Sequence, residues 1–136
     1  MSWPRALLTW LVIIAAEAMH GVLRQLYVLP LVGDLRARQI GVVVGSAIIF
    51  AIAVAFIRWI GARTLGAQLA VGFAWVLLTI AFELALGTLL GLTCERMLAD
   101  YDLANGGLMG FGLLFMLVAP VLAAKLRRSR APRSGP

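Results

Sequence analysis

Four long apolar segments dominate this 136-residue chain and leave little choice of fold. They cover residues 7–31, 40–60, 68–92 and 107–124, and a helix of about 20 apolar residues is long enough to cross a bilayer. With 62% of its residues hydrophobic and 13% charged, the chain is too apolar for a soluble domain. Short connections make successive helices antiparallel neighbours. The sequence therefore predicts an all-α, integral membrane four-helix bundle of up-down-up-down topology in residues 1–124.

The basic residues predict how this bundle is oriented. In an up-down-up-down bundle, one side carries both termini and the middle loop. That side holds eight basic residues: Arg5, Arg58, Arg63, Lys125, Arg127, Arg128, Arg130 and Arg133. The other side holds Arg36, Arg38 and Arg96. The positive-inside rule therefore places both termini in the cytoplasm of a bacterial cell, with the protein in the inner membrane.

The basic tail, residues 125–136, is interpreted as a disordered cytoplasmic segment. It carries five of the twelve basic residues of the chain. Next to a membrane span, such a cluster favours attraction to anionic lipid, and we expect no nucleic-acid partner.

A signal peptide is the alternative interpretation of the N-terminus. Arg5, an apolar run and the triplet Ala16-Glu17-Ala18 have the general pattern of a signal and its cleavage site. Apolar sequence resumes at Val22 and continues to Val32, as it would in a full membrane span. We therefore expect an uncleaved first helix, and the intact mass of the protein would distinguish the two cases.

Glu17, His20 and Arg24 lie inside the first apolar segment, three and then four residues apart. On a helix this spacing places them on one stripe, within about 60° of each other. The third segment contains Glu83 at a similar predicted depth to Arg24. Ionisable groups within a membrane are costly and must be compensated. We expect Arg24 to pair with Glu83, and His20 to bridge Glu17 or a water molecule.

Three interpretations of these four residues remain open. In the first, the four residues are purely structural and fix the register of the helices. In the second, Glu17 is a protonatable site that exchanges a proton for a solute. In the third, Glu17, His20 and Glu83 supply part of a metal site. The positive charge of Arg24, one turn away, argues against a metal. The sequence indicates no cofactor.

Glycines spaced by four residues predict close contacts between helices. The pairs are Gly41 and Gly45, Gly87 and Gly91, and Gly106 and Gly110. Small residues at this spacing let helix backbones approach each other in lipid. Together they predict that the bundle is packed tightly at its outer end, around the ionisable residues.

The sequence gives little support for a disulfide, a calcium site or a catalytic motif. A single cysteine, Cys94, excludes an internal disulfide. The acidic residues after it do not match a calcium loop, and 94–101 are predicted to form a short interfacial helix. No nucleophile–base pair, phosphate-binding loop or dinucleotide motif is present, so an enzyme is the less favoured interpretation. Enzymatic work on a lipid, with His20 as base, is the remaining enzymatic alternative, and no second catalytic element supports it.

The chain shows two resemblances to known families. Glu17, His20-Gly21, Arg24, Pro30, Ala37-Arg38-Gln39, Phe82-Glu83 and Asp100-Tyr101 resemble features of a group of small bacterial four-span proteins, which implies no particular activity. The layout is also similar to small multidrug resistance transporters, which are short, dimeric, four-span proteins with an essential glutamate in the first helix. Ala16-Glu17-Ala18 through Gly21 carry that likeness, whereas His20, Arg24 and Glu83 are additional ionisable groups.

The predicted function is proton-linked transport or exchange of a small polar or cationic solute. The alternative is a non-catalytic accessory or assembly subunit of a larger membrane complex, in which the polar cluster is structural. Either role is compatible with a homodimer or a larger assembly in the lipid bilayer.

Overall fold

The computed structural model describes residues 1–95 and 109–130, and these are almost entirely helical. The helices are α1 (Trp3–Leu23), α2 (Leu29–Val32), α3 (Asp34–Ile60), α4 (Leu65–Leu89) and α5 (Met109–Arg130), with a π-helical turn, Arg24–Val28, between α1 and α2. Four helical segments are long and apolar enough to cross a membrane: Trp3–Val32, Leu35–Ile60, Leu65–Leu89 and Gly110–Arg128. The prediction of an all-helical protein with four such helices is confirmed.

The helices extend beyond the predicted segments at several boundaries. α3 begins at Asp34, six residues before the predicted start, because a single residue, Gly33 with φ +87°, separates it from α2. α5 continues to Arg130, so the first half of the basic tail is helical rather than disordered. Pro120 lies inside α5 without ending it. The predicted interfacial helix 94–101 lies largely outside the described residues, as do 131–136.

Local chemistry explains where the other helices start and stop. The Ser2 hydroxyl accepts a hydrogen bond from Arg5 N, and the Thr64 hydroxyl accepts one from Ala67 N; these are N-caps that satisfy free amides of the first turn. α3 ends at Gly61, whose φ of +80° is a left-handed conformation that favours glycine. Gly91, with φ +74°, follows the end of α4 in the same way.

The π-helical turn ends at Val28, two residues before Pro30. Leu29 N donates to the carbonyl of Arg24, five residues back, instead of to the usual fourth residue. Proline has no backbone N–H to continue the α-helical pattern, and single π turns inside α-helices are frequent at functional sites. Arg24 is the first residue of this turn, so the widened turn begins at one of the candidate site residues.

Packing between the helices is uneven. α3 packs along both α1 and α5, and α4 packs along α5, whereas α1 and α4 touch only over a short stretch. α4 and α5 approach each other closely at Gly72 of α4, where an added Cβ would collide with the backbone carbonyl oxygen of Leu117 in α5. Glycine is required there because two helix backbones meet.

The buried core lies at one end of the bundle, which we call the closed end. Trp75, Ile13 and Val71 are completely buried there, with Ile60 at 1% exposure. Hydrogen bonds join the same region: Ser2 N donates to Ile60 O at 2.9 Å, and Trp75 Nε1 donates to Ala6 O at 3.0 Å.

The opposite end contains Glu17, His20, Arg24 and Glu83, and we call it the open end. Its four candidate residues surround a cavity. The expectation that the bundle is packed tightly at its outer end, around these residues, is therefore wrong. The largest buried side chains, Trp75 and Ile13, lie at the closed end, where Trp75 bonds to Ala6 O of α1.

Candidate functional site: an ionisable cavity at the open end

Glu17, His20, Arg24 and Glu83 line one cavity of about 560 Å³. Residues from α1, the π turn, α3, α4 and α5 all contribute to its wall. Among the described residues that line it, these four are the only ionisable ones. Most of the remaining wall is apolar, including Val22, Leu26, Phe82, Leu86, Leu113 and Met116. The cavity therefore combines a small charged group with a large apolar surface, which is the usual composition of a small-molecule site.

Glu17 lies directly over Gly45 of α3. The position that a Cβ would take at Gly45 is 2.8 Å from Glu17 Oε2 and 3.3 Å from Oε1. Gly45 itself is buried, so the missing side chain is what makes room for the carboxylate. Glu17 Oε1 is buried and has no hydrogen-bond partner among the described residues. An unsatisfied carboxylate oxygen in an apolar setting is costly, so it provides an acceptor for a proton or for a bound ligand.

Arg24 lies over Gly41, one turn away from Gly45 on the same helix face. The Cβ position at Gly41 is 2.6 Å from Arg24 Nη1 and 3.0 Å from Cδ. The two glycines thus receive the side chains of Glu17 and Arg24, one each. This assigns them a role different from the predicted one, which was to bring helix backbones together.

The predicted ion pair between Arg24 and Glu83 is not present: the described part of the chain contains no such salt bridge. Arg24 packs against Gly41 of α3 instead of extending to α4, and Glu83 is exposed. Arg24 and Glu83 nevertheless act on the same group, because Glu17 is attracted by the former and repelled by the latter. Arg24 also acts electrostatically on His20. The four residues therefore form one electrostatic cluster without direct pairing of Arg24 with Glu83.

A short chain of hydrogen bonds separates the cavity from the closed end. Trp10 Nε1 donates a hydrogen bond to Thr79 Oγ1 at 3.1 Å. The Thr79 hydroxyl in turn donates a hydrogen bond to the sulfur of Met116 at 3.3 Å. Thr79 is 5% exposed and also lines the cavity. It therefore forms the floor of the cavity, where α1, α4 and α5 meet.

The other glycines that were predicted to bring helices together do not all do so. Gly87 is buried in α4. Cβ atoms added at Gly91 or Gly110 would meet nothing within 4 Å, so neither glycine brings two described helices together. Gly106 lies outside the described residues. Glycine spacing did not predict the close helix contact at Gly72, because the residues four positions away are Gln68 and Val76.

The structure does not assemble the metal set that the sequence left open. Within 1–95 and 109–130, no three side chains of histidine, cysteine, aspartate or glutamate are grouped so that they could hold a metal ion. Glu17, His20 and Glu83 share the cavity but do not form a set of ligands.

Comparison with known proteins gives no relative for this chain. No family model, no curated protein and no solved structure matches it. The interpretation of the site therefore rests on its own geometry and not on either resemblance.

Proposed function

We propose that this protein binds a small organic cation in the open-end cavity and exchanges it for a proton on Glu17. The observation that carries the proposal is the buried Oε1 atom of Glu17, which faces no hydrogen-bond donor in the described part of the chain. When a cation enters, the proton leaves the carboxyl group for water, and the carboxylate that remains neutralises the cation. When the cation leaves, water returns a proton to the same oxygen.

The chemistry of the cavity supports an organic cation more than a small inorganic one. Its walls are mostly apolar, and its volume of about 560 Å³ is large enough for a molecule with several carbon groups. A small hydrated ion would find only two carboxylates in the described wall, on different helices, because the Ser46 and Thr79 hydroxyls are already engaged in hydrogen bonds within the bundle. Arg24 repels a cation near its own guanidinium, so we expect the ligand to bind on the side of Glu17 away from Gly41.

The proposed topology follows the charge distribution. The bundle crosses the bacterial inner membrane four times, up-down-up-down, with both termini in the cytoplasm, because eight of the basic residues then lie on the cytoplasmic side. In this orientation the open end lies in the outer half of the membrane. The cavity is then placed to receive solute from outside the cell.

The test uses tetraphenylphosphonium as the probe, because it combines a positive charge with an apolar surface. Binding to the detergent-purified protein is measured from pH 5 to pH 9, for the unmodified protein and for Glu17→Gln. We expect binding to weaken as the pH falls, since protons compete for Glu17, and the glutamine variant to lose at least tenfold in affinity along with this pH dependence. His20, Arg24 and Glu83 also face the ligand, so His20→Gln serves as a parallel variant that should retain the pH dependence.

Two results would overturn the proposal. One is binding by the Glu17→Gln protein that is as strong and as pH-dependent as binding by the unmodified protein. The other is the absence of any probe binding together with a stoichiometric co-purified protein, which would support the alternative role as an accessory subunit.

A further inference from the structure

A second cavity lies at the closed end of the bundle and has the opposite electrostatic character. It measures about 440 Å³ and is lined by four arginines: Arg58, Arg63, Arg127 and Arg128. Among the described residues in its wall, none is acidic. The end of α3, the turn after it, the start of α4 and the end of α5 contribute to it.

The floor of this second cavity is fixed by buried residues and hydrogen bonds of the fold. Gln68 is 3% exposed, and its side-chain amide donates to the carbonyl oxygen of Ala62 at 3.0 Å. That bond fixes the turn between α3 and α4. The left-handed conformation of Gly61 reverses the chain at the same place, and Arg63 follows it in the cavity wall.

The arginines are only partly satisfied by the protein. Arg58 Nη2 donates to the carbonyl oxygen of Arg127 at 3.1 Å, which satisfies one of the free carbonyls in the last turn of α5. Arg127 Nε is buried and has no hydrogen-bond acceptor in the described chain. A buried guanidinium N–H without an acceptor among the described residues is costly, and it points to an anion held in this cavity.

We propose that this arginine cavity binds a phosphate group, which arginine recognises through paired N–H donors. Two sources carry that group: the headgroup of an anionic phospholipid and a soluble phosphate compound. A basic pocket among membrane helices on the side of the positive charges is a typical site for a lipid headgroup. The site is independent of the open-end cavity and of the function proposed for it.

The experiment compares Arg127→Gln with Lys125→Gln. Each change removes one positive charge from α5, two residues apart, but Lys125 is exposed and does not line the cavity. The bond from Arg58 goes to the backbone of residue 127 and is retained in the variant. Arg63→Gln provides a second variant on a different segment.

Native mass spectrometry of the detergent-purified protein measures bound phosphatidylglycerol, which has a net negative headgroup. Phosphatidylcholine, whose zwitterionic headgroup has no net charge, is the lipid comparison, and inorganic diphosphate is the soluble ligand. We expect one anion per chain, with affinity reduced about tenfold in Arg127→Gln and in Arg63→Gln and nearly unchanged in Lys125→Gln. Binding of phosphatidylglycerol alone identifies a lipid site, and comparable binding of diphosphate identifies a soluble ligand. Equal losses in the Arg127 and Lys125 variants, or no anion bound in either arm, would overturn the proposal.

Discussion

The two ends of this bundle use similar residues for different purposes. At the closed end, Trp75 is completely buried and its indole N–H has an acceptor, Ala6 O. At the open end, Glu17 is only partly buried, and one of its oxygens has no partner among the described residues. Glycine at the closed end, at Gly72, admits a helix backbone, whereas glycine at the open end, at Gly45, admits a carboxylate.

This difference implies that stability and ligand binding are separable. The completely buried apolar side chains lie at the closed end, so the free energy of unfolding depends mainly on that end. The open end leaves a cavity between helices that are joined elsewhere. It can therefore hold unsatisfied charge without loss of the fold. Substitutions at each end should separate the two properties, and the largest effect is expected at the closed end.

Truncation of Trp75 to alanine should cause the largest loss of stability. The change removes a completely buried side chain and its hydrogen bond to Ala6 O, and such truncations cost about 3–5 kcal/mol. The measurement is the free energy of unfolding in mixed micelles, followed by circular dichroism. Leu77→Ala is the control, because Leu77 is in the same helix and 51% exposed. Equal losses for both variants would show that no tight core exists at this end.

Gly72→Ala should destabilise the protein by about 2 kcal/mol, since overpacking of a tight contact typically costs this much. The added methyl group meets the Leu117 carbonyl oxygen, which cannot move without displacing α5. Gly66→Ala provides a matched control in α4, because an added Cβ there meets nothing within 4 Å. The same unfolding assay measures both, and a Gly72→Ala protein as stable as the Gly66→Ala protein would contradict the close contact.

Gly45→Ala should alter the open end while changing stability by less than about 1 kcal/mol. The methyl group collides with the Glu17 carboxylate, a flexible group that can move aside. We expect tetraphenylphosphonium affinity to fall by about tenfold. Gly21 lines the same cavity, but a Cβ added there meets nothing within 4 Å, so Gly21→Ala should bind normally. If both alanine variants bind the probe alike, the placement of Glu17 over Gly45 is wrong.

Thr79→Val should have the smallest effect, because it removes one hydroxyl at the boundary between the two ends. The Trp10 N–H loses its acceptor, and the Met116 sulfur loses its donor. The expected cost is about 1 kcal/mol, visible as a small shift in the unfolding midpoint. Thr88→Val is the control, since Thr88 is exposed and bonds only locally to Leu84 O. A stability loss no larger than that of the control would show that the Thr79 hydroxyl does not join the helices at the cavity floor.

Much of the open end could be predicted from the sequence. Glu17, His20 and Arg24 share one helix stripe, and Glu83 lies at a similar depth in another apolar segment, so their convergence on one cavity follows from helical periodicity. The partner of Arg24 could not be predicted in this way. It depends on how α3 is rotated about its axis, which brings Gly41 under the guanidinium.

The closed end was harder to predict because it has no periodic signal. Gly72 has no small residue four positions away, so it does not match the usual packing motif. Trp75 lies in a uniformly apolar segment in which no residue type distinguishes the buried face from the exposed one. The basic cavity was missed because Arg58 and Arg63, close to each other in the turn after α3, are far in sequence from Arg127 and meet it only in the folded bundle.

Water access to three cysteine positions distinguishes a hydrated open end from a sealed one. In a Cys94→Ser background, Ala18→Cys lies in the open-end cavity, Ala81→Cys is exposed but outside the cavity, and Ala53→Cys is completely buried. Native membranes are treated with a charged, water-soluble thiol reagent. We predict rapid labelling at 18, slowed by tetraphenylphosphonium. We predict no labelling at 81, which we expect to face lipid, or at 53. Labelling at 18 as slow as at 81 would contradict a hydrated binding cavity at the open end.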